Sequence, residues 1–304
     1  MIKVNVFDET SELKSVVLGV ANNMGPTPSI EQAYDPKSKE HIQNGTFPKE
    51  ADLIHEMDQF ATVLEKHGVK VYRPEVLENT NQIFARDIGF VIEGKFISPL
   101  ILKAREKEKQ GIQYILDQVA LKNVVVVEGE VRIEGGDVMP WNDHIFVGYS
   151  EEEDFSKYKV SRTNRAGVEF LKAHFPHKIV KSFELVKSDE VARDNALHLD
   201  CCFQPVGKNQ AIIYQGGFKN SKDYDYLVNY FGRENIIDIT QEEMYEMNSN
   251  LFSISPNVIV SERGFTRING ILRSKGFIVE EVKYSETSKM EGLLRCSTLP
   301  LIRK

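Results

Sequence analysis

The sequence predicts an α/β (α+β) chain built of recurring hairpin-and-helix modules. Three observations point there. Short apolar, strand-like runs alternate with helical patterns along the whole length. A short polar motif, then two apolar runs around a tight turn, recurs over residues 83–96, 133–147, 197–214 and, in shorter form, 251–260. The recurrence distance is roughly 45–65 residues, which marks a modular ring or array rather than one continuously wound sheet. Motifs that open their hairpins at the same place would converge on the axis of a ring, however far apart they lie in sequence.

The elements follow in order. Residues 13–20 read as a strand. The next stretch, through Pro26, Pro28, Pro36 and Pro48, reads as loop, and 22–47 is a candidate lid. Residues 50–67 read as an amphipathic helix with Leu53, Met57, Phe60 and Leu64 on one face and Gly68 just past its end. Residues 69–72 return as a strand. Tight turns are expected at Glu93-Gly94-Lys95, Asn142-Asp143, Gly207-Lys208-Asn209 and Ser255-Pro256-Asn257. Helices are expected over 105–120, 162–174, 224–231 and 265–275. The mixed-sign run from Lys103 to Lys109 reads as a solvated helix face.

With 304 residues, 41% of them hydrophobic, the chain is long enough for a large core. Its formal net charge of -7 and the absence of a basic stripe argue against a nucleic-acid partner. No apolar run approaches the ~20 residues of a membrane span, so no membrane partner is expected. The first residues lack a signal-peptide core. Three cysteines, two of them adjacent, make neither a disulfide framework nor a spaced zinc set, so no metal is expected and a cytoplasmic enzyme is. Nothing in the sequence reads out oligomeric state, and a homo-oligomer stays open.

Six polar residues in short motifs stand out. Cys296 lies behind Gly292 in Glu291-Gly292-Leu293-Leu294-Arg295-Cys296-Ser297-Thr298. A lone cysteine there is ordinarily a buried hydrophobe. As a nucleophile it must act as the thiolate, which requires a nearby cation or helix N-terminus to lower its pKa. Cys201 and Cys202 read as core. His198 and Asp200, two apart in a presumed strand, would share one face as a proton shuttle beside a cation-binding carboxylate. The alternative for His198 is a satisfied core histidine. Glu134 and Asp137 flank a Gly-Gly pair, where a tight turn or a close approach is possible. Glu134 is placed to orient His198, whereas Asp137 reads as a turn residue bonding its own backbone. Asp87 enters an apolar run and needs a partner, either Arg86 or a bound cation. Arg162 is either an ordinary helix-start residue or a clamp for a substrate carboxylate.

Taken together, these motifs resemble the guanidino-group-modifying enzymes: arginine deiminases, dimethylarginine dimethylaminohydrolases and amidinotransferases. Phe84-Ala85-Arg86-Asp87, Glu134-Gly135-Gly136-Asp137, His198-Leu199-Asp200 and the segment from Gly292 to Pro300 are similar, in order, to the family's acidic, second acidic, histidine and cysteine motifs. The stretches from Lys159 to Gly167 and from Gly292 to Ser297 look most like the dimethylarginine hydrolases. Phe47-Pro48-Lys49-Glu50 is similar to amidinotransferases, and Cys296 to Leu301 to arginine deiminases.

The resemblance implies a pseudo-fivefold propeller of ββαβ modules, the pentein fold, with residues 1–304 forming a single catalytic domain. It implies that Cys296 attacks a guanidinium carbon, that His198 moves protons and that Glu134 orients it. Asp87 and Asp200 would bind the guanidinium, and Arg162 the α-carboxylate. The substrate would be a small guanidino compound, and no metal or organic cofactor is needed because the cysteine carries the covalent step. The activity implied is hydrolysis at the guanidino carbon of arginine or a derivative. The alternative is transfer of the amidino group to an acceptor amine. Citrulline cleavage and double hydrolysis to ornithine also belong to this superfamily.

Overall fold

A computed structural model describes all residues, 1–304. Fifteen strands form five three-stranded sheets, each with an antiparallel pair and one parallel outer strand. The first sheet has β1 (Leu13–Leu18) at its centre, with β2 (Lys70–Tyr72) on one side and the C-terminal strand on the other. The second holds β3 (Phe90–Ile92), β4 (Lys95–Ser98) and β5 (Val124–Val126). The third holds β6 (Val138–Trp141), β7 (His144–Tyr149) and β8 (Ile179–Glu184). The fourth holds β9 (Phe203–Val206), β10 (Gln210–Ile213) and β11 (Ile236–Asp238). The fifth holds β12 (Phe252–Ser255), β13 (Val258–Glu262) and β14 (Ile278–Val282). The last strand, β15 (Thr298–Arg303), pairs antiparallel with β1 and so completes the first sheet with the two ends of the chain.

The connections explain the repeat. An antiparallel pair closes through a tight turn, whereas a parallel partner needs a crossover. The hairpin turns fall where the sequence places them, and Glu93, Asn142 and Gly207 take the positive φ these turns require, at 52°, 55° and 62°. Helices span the crossovers. Before β2 come α1 (Pro36–Gln43) and α2 (Glu50–Lys66). The crossover to β5 uses a 3₁₀ segment (Lys103–Ile112) and the short α3 (Gln113–Leu116), and that to β8 uses α4 (Glu152–Lys157) and α5 (Arg165–His174). The fourth sheet uses α6 (Ser221–Phe231); α7 (Gln241–Tyr245) leads to β12, and α8 (Thr266–Ser274) spans the last crossover. No helix is long and apolar enough to cross a membrane.

Several expectations change. Residues 22–47 are not all loop: Asp35 caps α1 by accepting from Ser38 N at 2.6 Å, and Pro36 occupies the first turn. Asp-Pro is a helix-start signal that the surrounding prolines obscure. The helix expected over 105–120 is mostly 3₁₀, and its charged run is not simply solvated, because Arg105 and Glu108 are buried. A 3₁₀ helix repeats every three residues and stacks i on i+3. Arg105 accordingly pairs with Glu108 through Nε–Oε1 and Nη2–Oε2 bonds of 2.8 Å each. Residues 199–201 form a 3₁₀ turn rather than a strand, so the alternation expected for His198 and Asp200 does not apply.

The largest apolar cluster contains the predicted face of α2, Leu53, Met57, Phe60 and Leu64, together with Cys201 and Cys202. Phe60 meets Phe252 and Tyr284 edge-on, with ring centroids 5.8 and 5.6 Å apart, and so ties α2 to the fifth sheet. Truncating such a buried ring loses transfer free energy and leaves a cavity. Phe60→Ala should lower unfolding stability by about 3–5 kcal/mol in urea titrations; a loss below about 1 kcal/mol would show that the site collapses around the smaller side chain.

Candidate active site

Four polar motifs open hairpins and meet. Asp87 precedes β3, Glu134 precedes β6, and His198 and Asp200 precede β9; Cys296 precedes β15. All five side chains are buried, with Glu134 and Asp200 at 0% exposure and Cys296 at 3%. The Gly-Gly pair makes the meeting possible. A Cβ on Gly135 would lie 2.1 Å from the Arg86 carbonyl oxygen, and one on Gly136 would lie 2.6 Å from the His198 ring. The glycines thus admit neighbouring site segments. Asp137 is not the self-capping turn residue expected: it accepts from Leu199 N at 2.9 Å and anchors the histidine segment.

His198 Nε2 lies 2.9 Å from Glu134 Oε2, and its Nδ1 lies 3.8 Å from Asp87 Oδ1. Burial disfavours the imidazolium, but Asp87, Asp137 and Glu134 outweigh burial and lift the pKa to about 9. Glu134 is held ionised well below the usual carboxylate range. Burial opposes this, and Arg162 and His198 override it. Its other oxygen accepts from Leu102 N at 3.1 Å.

Asp87 does not pair with Arg86. Arg105 Nη1 donates to its Oδ2 at 2.6 Å, and Gly136 N donates to its Oδ1 at 3.1 Å. Arg86 turns instead to Arg295 O and Thr298 Oγ1. Arg162 donates to Lys159 O, Glu134 Oε2 (3.3 Å) and Tyr34 O (2.8 Å), which fastens the 22–47 segment over the site. A cavity of about 540 Å³ lies alongside, walled by Tyr34, Phe84 and Glu108 among others. None of the six residues singled out from sequence lines it.

Arg295 is the group that sequence reasoning missed most plainly. Its guanidinium is fully buried, and each of its five N–H groups has an acceptor: Glu9 twice, Asp200 Oδ2 at 2.7 Å, and the carbonyls of Gly136 and Val138. Arg105, Glu9 and Asn250 were missed as well. Asn250 Nδ2 lies 3.2 Å from Cys296 Sγ, and its Oδ1 accepts from Cys296 N at 3.1 Å. Only the arginine next to Cys296 carried a local hint, a charge inside an otherwise apolar run.

Cys296 Sγ lies 3.5 Å from Asp200 Oδ2. Burial first, then the negative charges of Asp200 and Asp87, push the thiol pKa well above its ordinary value. The cation expected to lower it is therefore not supplied strongly enough by the chain, since Arg295 is spent on Glu9 and Asp200. The arrangement sets the thiol in the field of two carboxylates, Asp200 and Asp87, where a cationic guest would reverse the balance. Donor atoms of Asp87, Glu134 and His198 lie within 4.8 Å of one another, a spacing that could suit a metal ion. Arg105 and Arg162 already bond two of these three groups and would repel a dication, so the donor set does not fit one.

The sequence profile of the family described as "N,N dimethylarginine dimethylhydrolase, eukaryotic" matches residues 30–302. The arginine deiminase of Limosilactobacillus reuteri is 26% identical over 265 residues, covering 74% of this chain and 62% of its own length. The chain thus spans less than two thirds of that relative. The N-terminal domain of a cyanobacterial arginine dihydrolase superposes with a TM-score of 0.78 at 14% identity, covering 96% of this chain and 98% of that one. The inosamine-phosphate amidinotransferase of Streptomyces griseus superposes with a TM-score of 0.77 at 15% identity, covering 100% and 98%.

The His198 pKa has a stability consequence. It is raised above the ~6.5 of an unfolded chain, so its contribution is fully present below pH ~6.5 and is lost as pH rises through about 9. The full contribution is about 3 kcal/mol. His198→Asn should therefore cost more stability at pH 6 than at pH 10 in urea unfolding; an equal cost at both would contradict a charged His198.

Proposed function

We propose that this chain, which belongs to the dimethylarginine dimethylhydrolase family and so to the guanidino-group-modifying superfamily, is a cysteine-dependent hydrolase acting on the guanidino carbon of arginine or an arginine derivative. The observation that carries the reading is a thiol 3.5 Å from the Asp200 carboxylate, in one buried site with a Glu134–His198 pair at 2.9 Å. We take residues 1–304 as one catalytic domain whose five ββαβ modules are arranged as a pseudo-fivefold propeller with the site at its centre.

The reaction follows from these groups. A bound guanidinium places positive charge beside Asp87 and Asp200, offsets the fields that keep Cys296 protonated, and releases the thiol proton to solvent. The thiolate adds to the guanidinium carbon. His198, already charged, gives its proton to the departing nitrogen, and a thiouronium intermediate remains on sulfur. The now neutral His198 takes one proton from water, whose oxygen adds to the same carbon; the adduct then expels the sulfur, which takes up the second water proton as the ureido carbonyl forms and so returns to the thiol. Glu134 orients His198 throughout, and Arg162 receives the substrate's carboxylate once it releases the Tyr34 carbonyl and the 22–47 segment opens. No step draws on a metal or an organic cofactor.

Asp200 bears on the substrate. Its Oδ2 is committed to Arg295, which leaves Oδ1 for a substrate N–H. An N,N-dimethylated nitrogen has no N–H to offer and adds bulk, so a carboxylate facing it is poorly paired. An unsubstituted guanidinium fits better. Turnover of L-arginine should exceed that of dimethylarginine; the reverse order would refute this use of Asp200.

The second reading is an amidinotransferase, supported by the superposition on the Streptomyces enzyme. Product mass spectrometry after incubation with L-arginine, with and without glycine, separates the two. Citrulline or ornithine plus ammonia, independent of glycine, is expected; guanidinoacetate formed only with glycine would establish the transferase. Cys296→Ala should abolish turnover and spare substrate binding, and near-full activity in that variant would rule out covalent catalysis.

A further inference from the structure

The site is fed by the entry to each hairpin. Four of the five entries supply a residue with a role above: Asp87 before β3, Glu134 before β6, His198 and Asp200 before β9, and Cys296 before β15. The remaining entry, before β12, supplies Asn250, which is fully buried. We propose that Asn250 is a further catalytic residue, whose side-chain N–H holds the Cys296 sulfur and stabilises its thiolate. This rests on the reading of Cys296 as the nucleophile.

The geometry fixes the direction of the contact. The backbone N–H of Cys296 can only donate, so the amide oxygen of Asn250 faces it, at 3.1 Å. The amide nitrogen is then turned to Sγ, at 3.2 Å, and reaches Asp200 O at 3.4 Å. One planar group thus grips residue 296 at its backbone and at its reacting atom. Ser249, next in the chain, braces the same region through Oγ bonds to the carbonyls of Asp200 (2.9 Å) and Cys201 (2.7 Å).

The chemistry explains why an amide suits this position. A neutral thiol is a weak acceptor, whereas a thiolate is a strong one, so an N–H aimed at sulfur favours the ionised form. Asp200 Oδ2, at 3.5 Å, has the opposite preference and accepts from S–H. The sulfur sits between a donor that favours the thiolate and an acceptor that favours the thiol. A guanidinium bound to Asp200 would weaken the second and leave the first. A lysine or arginine in place of Asn250 would also stabilise the thiolate, but its charge would repel the cationic substrate. The neutral amide avoids that conflict.

The groups that bear most on Cys296 electrostatically are Asp200, Asp87, the Leu293 backbone and Arg295, with Cys201 and Tyr284 also within its field, and Asn250→Ala leaves all of them in place. Asn250→Ala removes both contacts. Asn250→Asp keeps the acceptor for Cys296 N, removes the donor and adds a negative charge that itself raises the thiol pKa, so Asn250→Ala carries the supporting result and only an unshifted midpoint is decisive in Asn250→Asp. The decisive measurement is the pH dependence of iodoacetamide alkylation at Cys296, read by mass spectrometry on the tryptic peptide 296–303. The midpoint should move up by about one pH unit or more in both variants. The kcat should fall about 100-fold with KM little changed, as for loss of one preorganised donor.

An alkylation profile identical to the parent in both folded variants would overturn the proposal, even if turnover were lost, because Asn250 would then be only a brace. Should Asn250→Ala fail to fold, an unshifted midpoint in Asn250→Asp is equally fatal. Alkylation needs no guanidino substrate, so a wrong substrate would leave this result standing. Full activity in Cys296→Ala would instead sink the covalent reading.

Discussion

A buried guanidinium that cannot be left unpaired organises the centre of this protein. Arg295 has no access to water, so each of its N–H groups must find an acceptor within the chain. Those acceptors come from the N-terminal segment (Glu9), the second acidic motif (the carbonyls of Gly136 and Val138) and the histidine motif (Asp200). Because Cys296 is the next residue, the same bonds fix the sulfur against Asp200. Loss of any one acceptor would strand charge in the core, which costs far more than an exposed ion pair is worth.

The remaining buried charges follow the same rule. Asp87 and Glu108 share Arg105, and Glu134 is shared by Arg162 and His198. Within this network the Cys296 thiol is kept in its neutral form, pushed there by burial and by Asp200 and Asp87. The proposed chemistry needs the opposite form, and a substrate cation is the natural agent of the change. An enzyme whose nucleophile ionises mainly when its cationic substrate binds would be protected from chance alkylation in between.

Distance along the chain is no obstacle to this assembly because each site residue occupies an equivalent place. A polar residue just ahead of a hairpin lies at one end of its three-stranded sheet, and the pairing of β15 with β1 brings the cysteine motif back beside the N-terminus. Segments then need room to cross. Gly135 and Gly136 provide it, since any side chain there would collide with Arg86 or His198.

The sequence by itself determined the local elements and the list of reactive groups. The strand and helix patterns, three turns at positive φ and the apolar face of α2 were legible because they depend on spacing and on the nature of individual side chains. The motifs around Asp87, Glu134 and His198 were legible because each repeats the same local design, and Cys296 because its segment resembles the family's cysteine motif. Only the tertiary structure decided the partners: Arg105 rather than Arg86 for Asp87, Leu199 rather than its own backbone for Asp137, and Arg295 for Asp200. It also decided that Arg105, inside a run that reads as solvated, and Asn250, inside no motif at all, belong at the centre. Pairing of buried charges is set by which segments meet in space, and those segments lie as far apart as residues 9 and 295. No local pattern records that meeting.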